Sequence, residues 1–161
     1  MAGTTNKYLV FTIEKESYAI PIVKVQEVIR FTPITPLHET SRFLRGVINL
    51  RGRIIPVIDM RLKFNLTEKP YTDRTVFIIV EILGTQEVSH IGMAVDAVQD
   101  VADIPEESIN RTPEIGFKFK SKYLQGIVQL SGRMVMILNL DVILSTEEVV
   151  DIQEQLAKEA K

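Results

Sequence analysis

The strongest constraint on the fold of this chain is that its sequence is repeated. Residues 43–64 (FLRGVINLRGRIIPVIDMRLKF) match residues 123–144 (YLQGIVQLSGRMVMILNLDVIL) when the first segment is moved forward by 80 positions. A second match, at a shift of 73, sets residues 18–28 against residues 91–101. Three aligned pairs define the longer match: Gly46 with Gly126, Gly52 with Gly132 and Arg53 with Arg133. Because both segments occur in the same order in each half, the sequence predicts two copies of one structural unit.

Each copy has the pattern of short strands closed by tight turns. Two hairpins are predicted in the first copy, over residues 8–22 and 47–60, with Arg51-Gly52 at the turn of the second. Glycine supplies the positive φ that such a turn requires. Residues 22–31 predict a further strand, and the second copy begins with an apolar strand at residues 75–83.

About five strands per copy predict an all-β chain of two similar five-stranded barrels, because closure of a sheet removes its exposed edges. The two barrels are expected to share a core within a single domain, residues 1–161, with one lobe at about residues 8–70 and the other at about residues 75–144. A capping box at Ser145 and Glu148, followed by apolar residues at helical spacing, predicts a C-terminal helix at about residues 146–160.

The composition indicates a cytoplasmic protein. The chain has no cysteine, which suits a reducing compartment, and its N-terminal segment has no pattern of a signal peptide. The net charge of −2 is unevenly distributed: residues 1–80 carry 12 basic and 7 acidic side chains, whereas residues 81–161 carry 7 and 14. Solvated surface charge explains this division, and so does a particle whose ends meet complementary partners.

No pattern of catalytic residues is recognisable. The two histidines, His38 and His90, lie in or beside predicted turns and outside any nucleophile or metal motif, and no glycine-rich loop resembles a phosphate-binding loop. The densest basic cluster comprises Arg42, Arg45, Arg51 and Arg53, but the pI of 5.8 and the absence of tryptophan disfavour nucleic-acid binding. The residues therefore favour a binding module without a cofactor or metal. A small β-barrel enzyme is the alternative from another class.

Arg51 is the residue that most departs from the repeat. The second copy has Ser131 at the equivalent position, while the neighbouring glycines are the same. Because a neutral residue serves the turn in one copy, the guanidinium indicates a contact outside the repeat, although an ordinary surface arginine explains it too. At Glu27, by contrast, the negative charge is present in both copies, because the equivalent residue of the second copy is Asp100.

The segments GVINLRGRIIPVIDMRLKF and KVQEV together carry a resemblance to a known family. From about Tyr8 to Glu148 the sequence resembles the CheW adaptors of bacterial chemotaxis. The resemblance implies two SH3-like barrels around a shared interior and no enzymatic activity. It implies two partners, the CheW-like regulatory domain of the histidine kinase CheA and the cytoplasmic hairpin tip of methyl-accepting receptors, so that contact with the membrane is indirect. A pathway with an output other than flagellar rotation remains open.

The resemblance also implies two sets of binding residues. The positions that match the receptor groove are Val25, Glu27, Arg51, Val76, Val98, Gly46 and Gly92. The candidate kinase contacts are Val28, Arg30, Phe31, Asn110 and Ile115. In the groove, valines would cover an apolar stripe of a receptor helix and charged residues at the rim would fix its register.

Overall fold

The computed structural model describes residues 6–36, 43–64, 66–83, 88–110 and 123–144. Its strands are β1 (Lys7–Ile13), β2 (Glu16–Pro21), β3 (Val25–Arg30), β4 (Leu44–Leu50), β5 (Arg53–Asp59), β6 (Val76–Leu83), β7 (Val88–Val95), β8 (Ala97–Asp103), β9 (Leu124–Leu130) and β10 (Arg133–Leu138). Two short helices, α1 (Met60–Lys63) and α2 (Leu140–Leu144), follow β5 and β10, and two 3-10 turns occupy Ile22–Lys24 and Glu106–Ser108. The predicted hairpins are confirmed. The predicted C-terminal helix lies outside the described residues.

The strands form two five-stranded sheets with the same topology. The order is β8-β1-β2-β10-β9 in the first, here barrel A, and β3-β6-β7-β5-β4 in the second, here barrel B. Advancing each strand number in barrel A by five, cyclically, gives the order in barrel B. The equivalence extends to the parallel pairs, since β2 pairs with β10 in barrel A and β7 pairs with β5 in barrel B. The internal repeat is therefore a repeat of structure, as the sequence predicted.

The prediction of two consecutive lobes was wrong about which strands share a barrel. Barrel A combines β1 and β2 from the first half of the chain with β8, β9 and β10 from the second, and barrel B combines β3, β4 and β5 with β6 and β7. Residues 8–70 and 75–144 therefore each contribute to both barrels. The reason is that β1 pairs with β8 along its free edge, and β3 pairs with β6, so each half completes the sheet of the other.

A further difference concerns residues 22–31, where the strand begins three residues later than predicted. Ile22–Lys24 form a 3-10 turn, and only Val25–Arg30 join the sheet as β3. The turn follows Pro21, the last residue of β2, which has no N–H for a further ladder bond. This short turn carries the chain from barrel A to barrel B.

The apolar core joins the two barrels. Its largest cluster contains fully buried side chains from both sheets, among them Phe11 and Ile20 of barrel A and Ile78 and Met93 of barrel B. Two smaller clusters lie within the individual barrels. Burial of a common apolar surface is the dominant attraction between such units, so the two barrels are expected to fold as one body.

Candidate functional site

The Arg51 turn is the most distinctive part of the candidate site. Arg51 and Gly52 have φ angles of 52° and 85°, and the Asn49 side chain accepts a hydrogen bond from the Gly52 N–H at 2.9 Å. Two successive positive φ angles are typical of the tight turn that best matches the twist of a hairpin. The Arg51 side chain is 69% exposed, and one of its terminal amino groups contacts the Glu27 carboxylate on β3. Two predicted receptor residues, distant in sequence, are therefore brought together.

Barrel A has the same turn without the ion pair. Ser131 and Gly132 have φ angles of 51° and 79°, so the backbone is nearly unchanged. The contact between the hairpin and the edge strand is made instead by Arg133, whose guanidinium donates to the Gln99 side chain at 3.2 Å. Asp100, the equivalent of Glu27, accepts a hydrogen bond from the Val101 N–H at 2.7 Å. The charged contact at the turn is thus a property of barrel B.

The three valines predicted for the groove all lie at the margin of the shared core. Val25, Val76 and Val98 are half-buried and pack against the cluster that joins the barrels. They do not form one contiguous patch, because Val25 is paired with Val80 and Val76 with Arg30 at the other end of the β3–β6 ladder. Four residues along a strand separate these positions by roughly 13 Å. Val98 lies opposite Phe11 in barrel A.

The two predicted glycines lie inside the barrels. Gly46 has a φ of 144°, and a Cβ atom there would come within 2.2 Å of the Thr35 carbonyl oxygen, since Thr35 and Val47 form a β-bridge. Gly92 is buried in β7, where a Cβ atom would meet the Ile79 Cδ1 atom at an ordinary 3.4 Å. Neither residue offers an accessible surface, so any effect on a partner acts through the shape of the backbone.

The candidate kinase residues have different environments. Val28 and Arg30 are exposed on β3, whereas Phe31 is half-buried and packs against Phe77 and Tyr71, with ring centroids 5.9 and 6.2 Å apart. Phe31 therefore has a packing role in barrel B. Asn110 is exposed and forms a backbone bridge with Ile127. Ile115 lies outside the described residues.

The predicted basic cluster is divided among separate partners. Arg45 contacts Glu68 and lies over the Tyr71 ring, 5.3 Å from its centroid. Arg53 contacts His90, whose Nε2 atom is 3.4 Å from the Glu81 carboxylate. Arg42 and His38 lie outside the described residues. Each described arginine of this cluster thus has its own contact.

Sequence reasoning selected Val28 but missed the other large apolar side chains that are exposed in the described ranges. Four of the five large apolar residues exposed in the described ranges form two pairs related by the internal repeat, Val28 with Val101 and Ile54 with Met134. The signal was available, since both pairs follow the shifts of 73 and 80. A position that stays apolar and exposed in both copies indicates a contact surface rather than core packing.

Sequence reasoning also missed a group of charged residues around Arg61. Its guanidinium contacts Glu14 in the β1–β2 turn and Asp96 between β7 and β8, with 3.1 Å between Arg61 Nε and Asp96 Oδ1. Hydrogen bonding to Arg61 outweighs the cost of burial and lowers the pKa of Glu14. The partners of Arg61 lie 35 and 47 positions away in the sequence, so no local sequence pattern predicts these contacts.

Within the described ranges, no three His, Asp or Glu side chains are grouped so that they could hold a metal ion. No helix in the same ranges is long and apolar enough to cross a membrane.

Comparison with known proteins identifies the family. The model of the CheW-like domain matches residues 7–148. The chemotaxis protein CheW of Klebsiella aerogenes is 37% identical over 151 residues, which cover 92% of this chain and 89% of the relative. The chemotaxis protein CheW of Bacillus subtilis is 31% identical over 144 residues, covering 89% and 90%. The crystal structure of the scaffolding protein TtCheW from Thermoanaerobacter tengcongensis matches with a TM-score of 0.79 and 34% identity, covering 90% of this chain and 96% of that one. This chain therefore belongs to the CheW family.

Proposed function

We propose that this chain is a non-enzymatic adaptor that couples methyl-accepting chemoreceptors to the histidine kinase CheA. The observation that carries the proposal is the match to CheW proteins over nearly the whole chain. The relatives described above are named as chemotaxis and scaffolding proteins. A scaffold requires surfaces rather than reacting groups, and the candidate residues include the exposed side chains of Val28, Arg30 and Arg51.

The receptor is proposed to bind at the margin of the shared core, where the two barrels meet, on the side of the Arg51 turn. A helix of the receptor tip would place an apolar stripe against Val25 and Val98, while Val76 supports the far end of the surface. Arg51 uses one terminal amino group for Glu27 and is 69% exposed, so its other N–H donors are available to a receptor carboxylate or carbonyl. Arg51 could therefore fix the register of the receptor helix while its ion pair with Glu27 remains intact.

The kinase is proposed to bind the exposed side chains at the end of β3. Along this strand Val25, Glu27 and Ile29 are half-buried, whereas Gln26, Val28 and Arg30 are exposed. The register of β3 against β6 shifts between Val25 and Glu27, so Val25 lies opposite Val80, whereas Val28 and Arg30 lie opposite Ile78 and Val76 further along the ladder. One edge strand can therefore serve two partners at different points along its length. Val28 and Arg30 are the proposed kinase contacts, with Phe31 supporting the strand from the interior. Asn110 and Ile115 are proposed to contribute a second contact in barrel A.

A pathway with another output is the second candidate. The protein FrzA of Myxococcus xanthus, a relative with a different name, is 29% identical over 147 residues and covers 90% of this chain. An adaptor that couples other receptors to another kinase would use the same surfaces. Co-sedimentation with receptors from each pathway of the source organism would distinguish the two cases.

The repeat supplies a matched control for testing the receptor surface. Arg51→Asp and Ser131→Asp introduce the same side chain at equivalent turn positions, where the φ angles are 52° and 51°. Aspartate tolerates this left-handed conformation, so both variants should fold. Arg51→Asp should lower co-sedimentation with receptor-containing membranes, and receptor-dependent autophosphorylation of the kinase, by about tenfold or more, because it places a like charge beside Glu27.

Ser131→Asp should leave both measurements within about twofold of the wild type. Val98→Asp is the second test variant, since a carboxylate at this half-buried position must lose water when a partner covers it. Equal results for Arg51→Asp and Ser131→Asp, or normal stimulation by Val98→Asp, would contradict the proposed receptor surface.

A further inference from the structure

The described chain passes between the two barrels at only two places, and each crossing is held by an ion pair. The first crossing, Ile22–Lys24, leads from β2 to β3, and the second, at Asp96, leads from β7 to β8. At the first, the Lys24 ammonium lies 3.2 Å from the Asp141 carboxylate on α2. At the second, Asp96 contacts Arg61 on α1. Helix α1 follows β5 of barrel B, and helix α2 follows β10 of barrel A. Each helix therefore contacts the crossing at which the chain leaves the barrel of that helix.

The two ion pairs are equivalent in the repeat but opposite in charge. Arg61 and Asp141 are related by the shift of 80, and Lys24 lies next to the position that the shift of 73 relates to Asp96. The helix therefore supplies the cation in barrel B and the anion in barrel A. Both barrels thus have an ion pair between the helix and the crossing segment, although the charges are exchanged. This indicates that the link between helix and crossing is required, rather than a particular residue type at either end.

The Arg61 contact is the more constrained of the two. The Arg61 side chain is only 7% exposed, and its Nε and Nη2 atoms both face the Asp96 carboxylate while Nη1 contacts Glu14. Asp96 also accepts a hydrogen bond from the Glu14 N–H at 2.8 Å. A planar guanidinium that contacts two carboxylates fixes three segments relative to one another. By contrast, Asp141 is 63% exposed and Lys24 makes a single flexible contact.

The three segments held by Arg61 belong to different barrels. Arg61 itself follows β5 of barrel B, Glu14 lies in the β1–β2 turn of barrel A, and Asp96 is the crossing between them. We propose that Arg61 is a positioning residue for receptor binding, because it fixes the orientation of the barrels and hence the surface at their junction where Val25 and Val98 lie. This inference rests on the proposed function, since the junction matters to a receptor only if the receptor binds there.

Buried ion pairs contribute less to stability than their charge suggests, but a fixed geometry is one of their attested uses. The exposed Lys24 pair remains at the first crossing when the Arg61 contact is lost. One barrel should then rotate relative to the other around that crossing. Arg61 touches neither the Arg51 turn nor the exposed face of β3 in any described contact. Its loss should therefore weaken receptor binding and leave kinase binding nearly unchanged.

The test combines a distance with two affinities. The chain has no cysteine, so Gln26→Cys in barrel B and Gln129→Cys in barrel A can carry spin labels at two exposed positions without removing native thiols. The distribution of label-to-label distances is compared for the wild type, Arg61→Met, Arg61→Lys and Lys24→Met, all in the labelled background. Affinities for a receptor hairpin fragment and for the kinase regulatory domain are measured on the same variants without the added cysteines.

Arg61→Met should broaden the distance distribution and weaken receptor binding by about tenfold, with kinase affinity within about twofold. Arg61→Lys keeps the charge but cannot contact both carboxylates in the same way, so it should give a smaller change of the same kind. Lys24→Met, the matched control, should change both affinities by less than about twofold.

Three results would overturn the inference. An unchanged distance distribution in Arg61→Met would show that Arg61 does not hold the barrels in place. Equal losses of receptor and kinase affinity would indicate a general folding role. Unchanged receptor affinity with a broadened distribution would separate the junction from receptor binding. A wild-type protein that fails to bind the receptor fragment would instead contradict the proposed function, and this outcome is read before any variant is compared.

Discussion

Barrels A and B are built from the same repeat, and they differ most in charge. At the hairpin turn Arg51 corresponds to Ser131, and at the end of the following strand Asp59 corresponds to Asn139. The backbone around these positions is nearly the same, as the φ angles of 52° and 51° at the turn show. The backbone is thus retained in both copies while the charge is not. Because the fold tolerates either residue type at the turn and Asp59 is buried, the exposed Arg51 is the charged position of barrel B that can serve a partner.

The equivalent glycines Gly46 and Gly126 give the largest expected difference in stability. Both allow the segment after an edge strand to approach the hairpin, through the Thr35–Val47 bridge in barrel B and the Asn110–Ile127 bridge in barrel A. At Gly46 a Cβ atom would meet backbone, the Thr35 oxygen at 2.2 Å, and φ is 144°. Gly46→Ala should therefore lower the free energy of unfolding by about 4 kcal/mol.

Gly126→Ala should cost less, about 2 kcal/mol, because its Cβ would meet the Asn110 backbone oxygen at 2.8 Å rather than 2.2 Å, and its nearest contact, the Ile109 side-chain methyl at 2.5 Å, can move. Gly92→Ala is the control, with an expected change below about 1 kcal/mol, since its nearest neighbour is at an ordinary contact distance. Urea unfolding of the three variants measures the series. Equal losses for Gly46→Ala and Gly126→Ala would contradict the difference assigned to the two barrels.

The residues that begin the two short helices form the next comparison. Asp59 is buried, accepts hydrogen bonds from the Arg61 and Leu62 N–H groups, and accepts another from the Tyr71 hydroxyl at 2.8 Å. Burial, together with the charge of Asp59, raises the pKa of Tyr71, so its hydroxyl remains a donor. Asp59→Ala should lower the free energy of unfolding by about 3 kcal/mol, because it removes the helix cap and leaves the Tyr71 hydroxyl without this acceptor.

Asn139 is the matched position in barrel A, and its side chain accepts a hydrogen bond from the Val142 N–H at 3.3 Å. Asn139→Ala should cost about 1 kcal/mol, the usual effect of losing a helix cap. Thermal unfolding of both variants, followed by circular dichroism, gives the comparison. A loss in Asn139→Ala as large as that in Asp59→Ala would show that the Tyr71 contact adds little.

The internal repeat predicted much of this fold, and its limits are physical. Repeated segments determine that two units share the same local structure, so the hairpins and the number of strands per barrel followed from the sequence. A repeat does not determine which copy of a strand pairs with which, because β1 finds an equivalent edge on β3 or on β8. The exchange of strands between the halves depends on long-range packing, and so does the Arg61 contact, for which Met60-Arg61-Leu62 gives no sign of burial.

The candidate site was likewise predictable in part from the sequence. Glu27 and Arg51 were selected by comparison with the second copy and with a known family, and the structure brings them together. Phe31 was assigned to a partner, although it packs inside barrel B against Tyr71 and Phe77. A single aromatic residue at the end of a strand has the same pattern in sequence whether it faces a partner or a neighbouring ring. Only the position of Tyr71, forty residues later, distinguishes the two.

Acid should reveal the contribution of Glu14 to the contact between the barrels. Its hydrogen bond to Arg61 lowers the pKa of Glu14 below the ordinary glutamate value of 4.5, so the contact stabilises the folded state at pH values above 4.5. This stability is lost as the pH falls through the lowered pKa, because the folded carboxylate then takes up a proton. Glu14→Gln should be less stable than the wild type at about pH 7 by on the order of 1 kcal/mol or less.

The difference between Glu14→Gln and the wild type should shrink as the pH falls through the lowered pKa of Glu14, since the wild-type side chain then becomes neutral too. Lys24→Met serves as the control for the other crossing. Urea unfolding at a series of pH values measures the difference. A gap that stays constant down to the lowest pH would show that the Glu14 charge is not what stabilises the folded state.

The smallest effect on stability, and the sharpest distinction between stability and binding, is expected at the Arg51 turn. Arg51→Ser imports the residue of barrel A into barrel B, and Ser131 already adopts the same φ. The Arg51 side chain is 69% exposed, so the loss of its ion pair with Glu27 should change the free energy of unfolding by less than about 0.5 kcal/mol. Co-sedimentation with receptors should nevertheless fall by several-fold, because the receptor loses the Arg51 guanidinium as a hydrogen-bond donor at the edge of the contact.

The reverse substitution, Ser131→Arg, should alter neither measurement, since the acceptor at the equivalent position, Asp100, is already hydrogen-bonded to the Val101 N–H. If Arg51→Ser weakened receptor binding only to the extent that it lowered stability, the charge at this turn would serve the fold of barrel B rather than a partner.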